Sequence, residues 1–168
     1  LMLAERIAIE EFGLYSAAFS VLEQLTSLSA MILAVLAPVL IYRVSGRQLQ
    51  KNTLKLAFVM FSLGFVGATV MYYLSEYFIL AVYGNDYAES VHMFRVMVFI
   101  IPLVFFDSTI NAYIIKNKSA FYFFLKWIVV LLFSYAVFIH GYASKGWLAG
   151  VYSYFGGFIL ASSMSVLY

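Results

Sequence analysis

Long apolar runs separated by short clusters of charged residues dominate the chain. Five such runs can be read. Span A runs from about Gly13 to Tyr42, and span B from about Leu54 to Tyr73 with an amphipathic extension to Val82. Span C covers about Val91 to Ile115, span D about Ala120 to His140, and span E about Gly146 to Leu167. Roughly 20 helical residues, at about 1.5 Å each, match a hydrocarbon core of about 30 Å, and every run is long enough. No water is available there to satisfy backbone groups, so the runs must be helices. The alternation of a lipid-facing barrel strand is absent. The predicted fold class is all-α, a polytopic transmembrane bundle of about five spanning helices.

Composition agrees with the pattern. Apolar residues make up 65% of the chain and charged residues 11%, against about 45–50% and about 25% in soluble domains. The formal charge of +2 and the lack of a basic cluster argue against a nucleic-acid partner. With no cysteine, disulfide frameworks and zinc–thiolate sites are excluded. The opening LMLAERIAIEE carries no signal peptide and reads as the tail of an earlier segment, so a piece of a longer chain is expected.

Charge in the loops predicts orientation. The A–B connection holds Arg43, Arg47, Lys51 and Lys55, and the C–D connection holds Lys116 and Lys118, with no acid in either. The B–C connection carries Glu76, Asp86 and Glu89, while Lys145 is the one basic residue between D and E. The positive-inside rule assigns the A–B and C–D loops to the cytoplasm. Tyr72, Tyr73, Tyr77, Tyr83 and Tyr87 then form an aromatic belt at the outer ends. Gly64 with Ala68, and Gly146 with Gly150, have the small-xxx-small spacing that permits close helix approach. Gly156–Gly157 reads as close packing in preference to a hinge, and Pro38 and Pro102 can bend their helices.

The candidate chemistry lies in polar residues that the bilayer penalises. Asp107 is embedded in span C, and Asn111 follows one turn later on the same face. A carboxylate there costs several kcal/mol unless it meets a partner or water. It would bind a cation, exchange a proton, or serve as a structural carboxyl bonded to a neighbouring helix. Glu23, with Gln24, Thr26, Ser27 and Ser29, makes a polar stripe in span A. That stripe faces either a water-filled cavity or another helix. Arg95, near the outer end of span C, either snorkels to the interface or grips a phosphate or carboxylate with its guanidinium fork. Lys126 lies six residues into span D, a position that favours snorkelling to the cytoplasmic head groups. His92 and His140 sit at helix ends without a second ligand at metal-binding spacing. No metal or cofactor is expected, and no catalytic motif points to an enzyme.

Several features together carry a resemblance. FGLYSAA at Phe12–Ala18 opens a helix that ends near Pro38. LAVYGNDY at Leu80–Tyr87 closes an apolar hairpin, and GYASKGWLAG at Gly141–Gly150 joins the last two helices. In this order they resemble the C-terminal half of Wzx-like polysaccharide flippases, the O-antigen and exopolysaccharide exporters of the MATE-like multidrug/oligosaccharidyl-lipid/polysaccharide superfamily. The resemblance implies that spans A to E are the eighth to twelfth helices of a twelve-helix transporter in the bacterial inner membrane. Residues 1 to 11 would end the preceding helix and its outer connection, and an N-terminal half would complete the protein.

It further implies ion-coupled alternating access, moving undecaprenyl-diphosphate-linked oligosaccharide repeat units outward for surface polysaccharide biosynthesis. Membrane lipids, that substrate, and polysaccharide polymerase and chain-length proteins would be the partners. On this reading Arg95, Lys126 and Asn111 are the substrate-binding candidates, and Asp107 and Glu23 the ion-coupling candidates. Two alternatives remain open. One is another exporter of the superfamily, for drugs or a peptidoglycan lipid precursor. The other is a non-transporting membrane scaffold held together by its embedded polar residues.

Overall fold

Apolar side chains and buried backbone groups together demand helix, and the computed structural model of the chain is helical almost throughout the residues it describes, 9–117 and 119–167. The segment 1–8 and Lys118, both part of the sequence reading above, lie outside the described residues. α1 (Ile9–Ala37) continues through a wider π-helical turn at Pro38–Tyr42. α2 (Gly46–Tyr83) is a single helix of 38 residues, so the apolar span B and its amphipathic extension are continuous. α3 (Ala88–Met97) passes through a tight 3₁₀ turn, Val98–Ile100, into α4 (Ile101–Lys116). α5 (Ala120–Lys145) and α6 (Trp147–Leu167) form the last hairpin.

Among the described residues, four segments are long and apolar enough to cross a membrane: Phe12–Tyr42, Gly46–Tyr83, Asn85–Lys116 and Phe121–Tyr142. The fifth helix, α6, is also apolar, although Gly156, Gly157, Ser162, Ser163 and Ser165 dilute it. Residues 9–11 form the first turn of α1.

Both prolines mark departures from α geometry, because neither can donate the backbone hydrogen bond its turn needs. Pro38 opens the π turn, and Pro102 follows the 3₁₀ turn at the start of α4. Two glycines with positive φ make the turns at the other end. Gly84 (φ 87°) caps α2, its N–H bonding to Leu80 O at 2.9 Å, and Gly146 (φ 53°) lets α5 reverse into α6. Gly146 is therefore a turn residue and not part of a packing face.

The α3–α4 segment is the centre of the bundle. Its crossing window is 67% buried, against 28% or less for the other three. The main core gathers Leu22, Leu33, Met60, Ile79, Phe94 and Phe105 from α1, α2, α3 and α4, with Ile41 from the π turn and Val98 from the 3₁₀ turn. α2 and α4 approach closely at Gly64, where a Cβ would sit 2.9 Å from Pro102 Cα. Within the last hairpin, a Cβ on Gly157 would sit 2.4 Å from Ser134 Oγ, and one on Gly156 would sit 3.0 Å from the Phe133 ring. The paired glycines are thus a packing device. α5 and α6 contact mainly each other and reach the rest of the bundle chiefly through α4. Cross-links at the basic end tie the layers: Lys116 Nζ donates to Tyr42 O, and Tyr122 OH donates to Met164 O.

Candidate functional site

α4 presents Asp107 and Asn111 one turn apart, and the bundle turns both toward α5 and α6. Asn111 Nδ2 donates to Asp107 Oδ2 at 2.8 Å. From α5, Lys126 reaches the same place, and its Nζ donates to Asp107 Oδ1 at 2.6 Å and to Asn111 Oδ1 at 2.7 Å. Ser165 of α6 completes the group, accepting from Lys126 Nζ at 2.8 Å. The Ser165 hydroxyl has one proton to share between Asp107 Oδ1 at 3.0 Å and Ala161 O at 2.8 Å. Asp107 is 1% exposed and Lys126 0% exposed. The Trp127 ring lies 5.2 Å from the ammonium and adds a cation–π contact.

The ammonium is therefore saturated. All three of its N–H bonds have oxygen partners, which is what a charge needs to survive removal from water. The expectation that Lys126 snorkels to the head groups is corrected here. In this conformation its stem points into the bundle, because the Asp107 carboxylate supplies a stronger partner than a distant interface. Lys126 also has no donor left for an anionic substrate, and Asn111 Oδ1 is likewise engaged. Three of the five sequence candidates meet in one cluster. Ser165 was not among them, and only its place among the serines of span E set it apart.

Arg95 and Glu23 stand elsewhere, in two separate clefts. Arg95 Nε donates to the buried Ser75 Oγ at 2.8 Å, and Ser75 in turn donates to Tyr72 O. A second nitrogen lies 3.7 Å from Glu76, in a pair that is 38% and 68% exposed. Tyr72 packs below the guanidinium, 5.8 Å from ring centre to Cζ. The cleft here, about 590 Å³, runs between α2, α3 and α6 and includes His92, Tyr152 and Phe155.

Glu23 is exposed to a larger cleft of about 690 Å³ between α1 and the α5–α6 hairpin. Its walls carry aromatic rings (Tyr15, Phe19, Tyr135, Tyr154) and hydroxyls (Ser16, Ser20, Ser134, Ser153). Tyr15 stacks on Phe19 at 6.0 Å, and Phe19 meets Tyr154 edge-on at 5.6 Å. The polar stripe of α1 thus divides. Glu23 lines the cleft. Thr26 and Ser27 bond back to their own helix, and Ser29 bonds across to Ser108 of α4 at 3.0 Å. Among the described residues, no three histidine, aspartate or glutamate side chains gather as a metal site would require. No family model, curated protein or solved structure matches the chain.

Proposed function

We propose that the protein is a membrane exporter of lipid-linked saccharides, working by alternating access in a bacterial inner membrane with its basic loops on the cytoplasmic side. The observation that carries this reading is the Glu23 cleft. An apolar bundle has no packing reason to gather a carboxylate, serine hydroxyls and tyrosines around an open space of about 690 Å³. That volume lies in the range of small-molecule sites, about 300–1,000 Å³. Aromatic faces suit the C–H faces of sugar rings, while the carboxylate and hydroxyls suit sugar hydroxyl groups. An amphipathic substrate would keep its lipid chain among the exposed apolar side chains outside the cleft. A polysaccharide polymerase and chain-length proteins would receive and use the exported unit.

The test is translocation by the full-length protein in liposomes containing a fluorescent polyprenyl-diphosphate saccharide. Chemical quenching from outside then reports the leaflet. Losing one charge-assisted hydrogen bond, about 1.5–3 kcal/mol, corresponds to a decrease of about 10- to 100-fold in rate for Glu23→Ala. A wild-type rate equal to that of protein-free liposomes would overturn the proposal.

One observation favours a second reading, a non-transporting membrane scaffold. The Asp107–Lys126 cluster is closed and fully bonded, as helix-joining polar groups are. On that reading Glu23→Ala leaves partner assembly intact, whereas Asp107→Asn abolishes it.

A further inference from the structure

The Lys126 ammonium is held as a bound cation is held. Its nitrogen has three oxygens at 2.6, 2.7 and 2.8 Å, from Asp107, Asn111 and Ser165. Those oxygens come from α4 and α6, and α5 contributes only the charge. A site made of one carboxylate and two neutral oxygens suits a hard cation. Because the site is buried and holds a single negative charge, a monovalent ion balances it and a divalent ion would leave an uncompensated charge. The lysine stem is long and flexible. Ala120, where α5 begins, is six residues away, about 9 Å along the helix. An extended Lys126 side chain can cover much of that distance and place its ammonium at the basic end of the bundle.

We infer that Asp107, Asn111 and Ser165 form a sodium-class cation site for which Lys126 is a tethered competitor. In this conformation the ammonium occupies the site. When a free ion binds, Lys126 withdraws toward the basic end, and the α4–α5 tie is exchanged for an α4–ion–α6 tie. The exchange would loosen α5, because Lys126 ties it to α4 through two hydrogen bonds. As the coupling step of the exporter, this inference rests on the proposed function. As a binding site, it does not.

The test uses the purified full-length protein, with sodium chloride titrated against choline chloride at constant ionic strength. Lys126→Met removes the competitor, and its Tm should rise by about 3–6 °C at ten times Kd. The double variant Lys126→Met/Asp107→Asn should show no sodium-specific shift. Equal Tm values for Lys126→Met in the two salts would overturn the inference. Should Lys126→Met fail to fold, the wild-type protein supplies the readout. Withdrawal takes the ammonium away from the Trp127 ring, so Trp127 emission should respond to sodium and not to choline. Identical emission in the two salts would overturn the inference equally. A sodium response without saccharide translocation would preserve the site and remove the proposed cargo. Translocation without a sodium response would do the reverse.

Discussion

Breaking the buried Asp107–Lys126 pair from each side in turn should reveal how strongly it joins α4 to α5. Lys126→Met removes three hydrogen bonds from a residue with no exposed surface and leaves the Asp107 carboxylate without its cation. A buried charge deprived of its partner costs about 3–5 kcal/mol. Asp107→Asn keeps the shape and an acceptor oxygen but strands the ammonium, with a cost again of about 3–5 kcal/mol. In the double variant neither charge is left. What persists is the weaker loss at Asn111 and Ser165, whose polar groups lose a partner, about 1–3 kcal/mol. The double variant should therefore fall short of the summed single losses by about 3 kcal/mol or more. The assay is reversible unfolding in mixed detergent and dodecyl sulfate, in sodium-free buffer. Far-ultraviolet circular dichroism follows the helices, and Trp127, 5.2 Å from the ammonium, reports locally. Losses that add to within about 0.5 kcal/mol would refute the reasoning, because independent sites behave in that way.

Gly64→Ala should destabilise the bundle by about 1–3 kcal/mol, since the new methyl meets the Pro102 backbone at 2.9 Å and α2 must move from α4. Gly67→Ala, where nothing lies within 4 Å, should be neutral or stabilising by up to about 1 kcal/mol. Equal Tm values for the two variants would contradict the packing described. Glu76→Gln should change unfolding free energy by less than about 1 kcal/mol, because its pair with Arg95 is long and largely exposed. Ser165→Ala should cost about 1–2 kcal/mol in the same unfolding assay, through the acceptor lost to Lys126. A loss as large as that of Lys126→Met would place the ammonium's main support on α6 in place of α4.

Much of the fold was legible because hydropathy is a local property. The apolar runs predicted helices within a few residues of the observed α1, α5 and α6, whereas α2 begins at Gly46, well before the expected Leu54. The prolines can bend their helices, and both lie beside departures from α geometry. Gly64 and Ala68 predicted a close face, and both are buried. The sequence also identified Asp107, Asn111 and Lys126 as residues that the bilayer would not tolerate alone. Their convergence was not legible. In α4 the consecutive Asp107, Ser108 and Thr109 point about 100° apart, so the pattern does not mark one polar face or say which way Asp107 points. Nor does it say whether Lys126 turns inward or toward the interface.

The chain by itself therefore determined the elements and the embedded charges that had to find partners, since burial in lipid penalises an unpaired polar group wherever it falls in sequence. Tertiary packing decided the partners. The rotation of each helix about its axis is set by contacts with its neighbours. That rotation brought Ser165, 58 residues from Asp107, into the cluster, left Arg95 with Ser75, and turned Glu23 to an open cleft. A helix turns by about 100° per residue, so a small change of rotation would have sent each of these side chains to lipid or to another neighbour.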